Sequence, residues 1–84
     1  MDKVSDPETA LRYIKRYGYL NAFETLADAW FEASDTPMVA AENDGELIAD
    51  EAAEVLIKQG KVVEVSRGHP PDDTTTQVIC YRAA

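Results

Sequence analysis

Ten carboxylates and no cation lie between Tyr17 and Ile57: Glu24, Asp28, Glu32, Asp35, Glu42, Asp44, Glu46, Asp50, Glu51 and Glu54. Arg16 is the last cation before this stretch and Lys58 the first after it. Carboxylates can act as general acids and bases, hold divalent metals, or present fixed charge to a basic partner. Catalytic pairs need a pocket that shifts a pKa, and adjacent Asp50 and Glu51 lack one. The acids around Asn43-Asp44-Gly45 do not follow the spacing of a calcium loop. Docking on a basic surface is the chemistry left to them.

The remaining reactive residues add little to catalysis. His69, between Gly68 and Pro70, reads as a loop residue, and with Asp72 and Asp73 makes an unspecific metal pattern. Cys80 falls mid-strand, where a small buried thiol is the default. The four glycines form no phosphate-cradling loop. The expectation is a non-enzymatic protein with no catalytic residue, metal ligand or cofactor.

Composition sets the frame. Eighty-four residues make one small domain with a single core and no deep cleft. Apolar residues at 45% and charged residues at 29% fit a soluble globule. The formal charge of −8 opposes contact with phosphate backbones and anionic membranes and favours basic surfaces. One cysteine excludes an internal disulfide and suggests a reducing compartment. No apolar run reaches a membrane span and the N-terminus lacks a signal-peptide core, so a cytoplasmic location is expected.

The elements that must position the acids follow from periodicity. Asp6-Pro7-Glu8 starts a helix carrying Leu11, Ile14 and Tyr17 inward, and Gly18 stops it. Asn21 and Glu24 form a capping-box-like start for a second helix, with Phe23, Leu26, Ala27 and Trp30 buried and an end near Ala33. On that helix Glu24, Asp28, Glu32 and Asp35 share one face, which reads either as a solvated face partly neutralised by Arg12, Lys15 and Arg16 of the first helix or as an acidic stripe held for a basic partner. Phe31 lies at the edge of that face as an apolar anchor. Met38–Ala41 is a short strand or a turn of helix, Asn43–Gly45 a turn, and Glu46–Ala49 a short strand or the start of a longer helix. Asp50 caps a third helix over roughly 51–59 that ends at Gly60. Lys61–Ser66 and Thr74–Arg82 read as strands of an antiparallel hairpin, with Val78 and Cys80 on one side and Ile79 and Tyr81 on the other.

The expected fold is therefore α+β: an N-terminal helical hairpin, a third helix and a C-terminal β-hairpin. In element order this resembles a winged-helix arrangement. A winged helix reads DNA with its third helix, and here that helix carries Asp50, Glu51 and Glu54. The leading expectation is instead a module that docks an acidic face on the basic, nucleic-acid-binding surface of another protein. A phage or mobile-element inhibitor of a host nuclease or CRISPR-type complex would act this way, by mimicking nucleic acid. The partner-binding residues are Glu24, Asp28, Phe31, Glu32, Asp35, Asp44, Glu46, Asp50, Glu51 and Glu54, on a monomer or homodimer. The alternatives are a dimeric winged-helix regulator using Arg12, Lys15, Arg16 and Arg67, and an assembly subunit associating through Tyr19, Phe31 or the hairpin edge.

Overall fold

The computed structural model describes residues 3–37, 45–70 and 74–84. The chain is α+β, with two helices and a five-stranded antiparallel sheet: α1 (Pro7–Tyr17), β1 (Tyr19–Glu24), β2 (Ala29–Ser34), β3 (Glu46–Ile48), α2 (Asp50–Lys58), β4 (Val62–Gly68) and β5 (Gln77–Ala83). The strand order is β3-β2-β1-β5-β4. Three helices followed by a hairpin, and with them the winged-helix order, are overturned. The second helix is a β-hairpin and a fifth strand borders it.

The two ends of α1 form as their residues dictate. The Asp6 carboxylate accepts a 3.0 Å hydrogen bond from the Thr9 amide, Pro7 occupies the first turn, and Gly18 closes the helix at φ 120°. In α2 the cap is Ala49, without a side-chain hydrogen bond, and Asp50 is the first helical residue rather than the cap. Gly60, at φ 71°, takes the left-handed conformation after the helix.

Residues 19–34 form strands for two physical reasons. Thr25 turns the chain locally: its Oγ1 accepts from the amides of Ala27 and Asp28, at 3.2 and 3.0 Å. β1 then gains partners on both edges, with Leu20 opposite Ala33 in β2 and Tyr81 in β5. Those long-range ladders prevail over the 3.6-residue spacing of Phe23, Leu26 and Trp30. Of the four residues expected to be buried, Phe23 is buried and Trp30 half-buried, while Leu26 and Ala27 are exposed at the turn.

Both helices pack on one face of the sheet, where Ala10, Ile14, Leu20, Ala33, Ile48, Ala52, Ala53, Leu56 and Val62 form the core. The opposite face is buried as well, and polar in the middle. Glu32 of β2, Asn21 of β1 and Cys80 of β5 lie side by side across three strands, all buried. The Asn21 amide donates to the Thr36 carbonyl at 2.9 Å, which ties the exit of β2 over this face. At one edge, Val4 bridges β3. At the other, β4 carries a bulge between Glu64 and Ser66. The expected strand pair, with Val78 and Cys80 on one side and Ile79 and Tyr81 on the other, is present. Glu46–Ile48 adopts the strand of the two expected alternatives, and Met38 to Asp44 lies outside the described residues.

Candidate functional site

The hairpin separates the four acids expected on one helix face. Glu24 ends β1 opposite Ala29, and Asp28 sits in the turn; both are exposed. Asp35 is exposed at the other end of the hairpin, beyond the Tyr19–Ser34 pair. Glu32 points to the face away from the helices and is 3% exposed. Its Oε2 accepts a 2.8 Å hydrogen bond from the Trp30 indole, and burial raises its pKa from the ordinary value. Glu32 is thus a buried structural carboxyl in this fold, and the continuous stripe expected from helical spacing does not form.

The other predicted acids fall elsewhere. Glu46, half-buried, pairs with Ala33 toward the Asp35 end of β2. Asp50, Glu51 and Glu54 are exposed on the first half of α2. Asp44 lies outside the described residues. Among the described residues one ion pair forms, Arg67 with Glu64. The expected neutralisation of the acids by Arg12, Lys15 and Arg16 of α1 is therefore not seen among them.

Phe31 is brought to a place of its own. On the helix side of the sheet, Ala22 stands between Phe31 of β2 and Ile79 of β5. Between two large side chains, a methyl group leaves a hollow. The hollow measures about 190 Å³ and is bordered by Phe31, Ile79, Tyr81, Glu24 and Gln77, with Ala22 as its floor. Phe31 and Tyr81 pack against the helix-side core, so these walls are held from behind. On the opposite face, Phe23 and Trp30 stack at 5.1 Å and stiffen the same end of the hairpin.

Beside the hollow, the turn presents Leu26 at 99% exposure. The turn is fixed by Thr25 and by the Asp28 carboxylate, which accepts from the Ala29 amide at 2.8 Å. A fully exposed leucine between Glu24 and Asp28 is an apolar contact with an acidic border. Helical periodicity assigned Leu26 to the core and missed it. The signal was Thr25 and Asp28 flanking two apolar residues, a local turn chemistry. The alternation of Ile79 and Tyr81 with Val78 and Cys80 was legible, but Ala22 gave no sign of the hollow.

The chain matches no known family model, no curated protein and no solved structure. No helix among the described residues is long and apolar enough to cross a membrane.

Proposed function

We propose that the chain is a non-enzymatic binding module that docks the turn end of its β1–β2 hairpin on a basic protein surface. The observation that carries this reading is the exposed Leu26 set between Glu24 and Asp28, two carboxylates with no ion-pair partner among the described residues. An apolar contact supplies affinity by excluding water, and the surrounding charge selects and steers a cationic partner. The net charge of −8 acts in the same direction at longer range.

The partner class is a protein whose basic surface ordinarily takes nucleic acid, such as a nuclease, a recombinase or a CRISPR-type effector. Occupying that surface excludes the nucleic acid, and inhibition of a host defence system is the use that suits a small acidic domain. Asp50, Glu51 and Glu54 of α2 extend the negative field without belonging to the hairpin contact.

The test is competition. The purified chain is titrated against such effectors carrying labelled nucleic acid, at low and high salt. Displacement that weakens with salt, and falls by about tenfold or more in the double variant Glu24→Lys, Asp28→Lys, supports the reading. Equal displacement by wild type and variant at both salt concentrations, or none by either, overturns it.

A further inference from the structure

The geometry points to the hollow beside Leu26 as a receptor for a single arginine side chain of the partner. This rests on the docking reading above and adds which chemical group the site takes. The hollow has an apolar floor at Ala22, walls of Phe31, Ile79 and Tyr81, and a carboxylate, Glu24, at its rim. Register puts Glu24 next to Gln77 on the same side of the sheet, so a charged and a neutral acceptor sit side by side. Glu24 is exposed and makes no side-chain hydrogen bond or ion pair among the described residues. Arg67, which pairs with Ile79 across β4 and β5, is a cation of the sheet itself on this side. Its Nε and one Nη donate to the Glu64 carboxylate, at 2.7 and 2.6 Å, so its guanidinium is paired with Glu64 and not with Glu24.

An aromatic and aliphatic hollow with one carboxylate at its mouth matches a long apolar stem that ends in a cation. Arginine fits better than lysine. Its planar guanidinium lies against ring faces while two of its N–H groups reach a carboxylate, and it sheds its hydration more easily than an ammonium. A purely apolar occupant would leave Glu24 unpaired at the mouth, and a second copy of this acidic chain would bring like charge to it.

The experiment is a titration of the isotopically labelled full chain with acetyl-Ala-Arg-Ala-amide, followed through backbone amide shifts. The same peptide carrying citrulline, neutral and nearly isosteric, is the comparison. The expected result is shifts centred on Ala22, Glu24, Phe31, Gln77 and Ile79, with affinity lower by about fivefold or more for the citrulline peptide and for Glu24→Gln. Glu8→Gln, which removes an exposed carboxylate of α1, leaves the affinity unchanged. Equal shifts with citrulline, equal affinity in Glu24→Gln, or shifts scattered over the acidic surface each overturn the arginine site. Should that happen while Glu24→Lys, Asp28→Lys still abolishes salt-dependent displacement, the arginine site alone falls and the docking reading stands.

Discussion

Asn21 and Glu32 stand directly opposite each other on β1 and β2, both buried on the face away from the helices. The Asn21 side-chain oxygen has no hydrogen-bond partner among the described residues, and the Glu32 carboxyl is held up in pKa by burial, partly offset by the Trp30 indole. A carboxyl whose folded pKa exceeds its unfolded value binds its proton more tightly in the folded state. Its penalty is absent below the ordinary value of 4.5 and grows as pH rises through the raised folded value. Glu32→Gln keeps an acceptor for Trp30, adds amide donors opposite Asn21 and removes the charge. Urea midpoints should therefore rise at pH 7 and change little at pH 4. A lower midpoint at pH 7 would show that the charged form is needed.

Leu26 and Phe23 test the strand assignment. Leu26→Asp should leave stability within about 0.5 kcal/mol, since the side chain touches solvent. Phe23→Ala should cost about 3–5 kcal/mol, because it empties a fully buried site stacked on Trp30. Denaturation followed by circular dichroism measures both. If both residues lay on the buried face of a helix, the two losses would be similar.

The same pair explains what was legible in the sequence. The ends of α1 were readable because Asp6, Pro7 and Gly18 act within a few residues of where they stand. β5 was readable because Val78 and Cys80 are buried while Ile79 and Tyr81 are half-exposed, which preserves a period of two. β1 offers no such alternation: Leu20 and Asn21 are adjacent, on opposite faces, and both buried. With the period of two erased, the chance spacing of Phe23, Leu26 and Trp30 read as helix. The stripe of Glu24, Asp28, Glu32 and Asp35 went with it, because its geometry rested on the wrong period. The excess of carboxylates survived, being a matter of composition, but sequence did not reveal that Leu26 would stand among them.

Gly45 leads into β3 where the backbone of β2 comes close. A Cβ at this position would collide with the carbonyl oxygen of Ala33. Gly45→Ala must push the two strands apart, and a loss of about 1–3 kcal/mol is expected by thermal or chemical unfolding. Gly60→Ala meets no atom, so its loss should come from the positive φ alone, about 1 kcal/mol.

Cys80 is buried in β5, and burial raises the pKa of its thiol. Modification by a disulfide reagent at pH 8 should be slow in the folded chain and rise with the unfolded fraction in urea. Rapid modification without denaturant would mean that β5 leaves the sheet readily.

The place of β1 between β2 and β5 also dictates when the protein can fold. Leu20 waits for Tyr81 to complete its second ladder. On the ribosome, the β1–β2 hairpin emerges with one edge bare, and the strand that covers it follows only after β3, α2 and β4. A nascent chain stalled before Gln77 would expose that edge to chaperones and to other nascent chains, so closure of this sheet waits for the synthesis of β5.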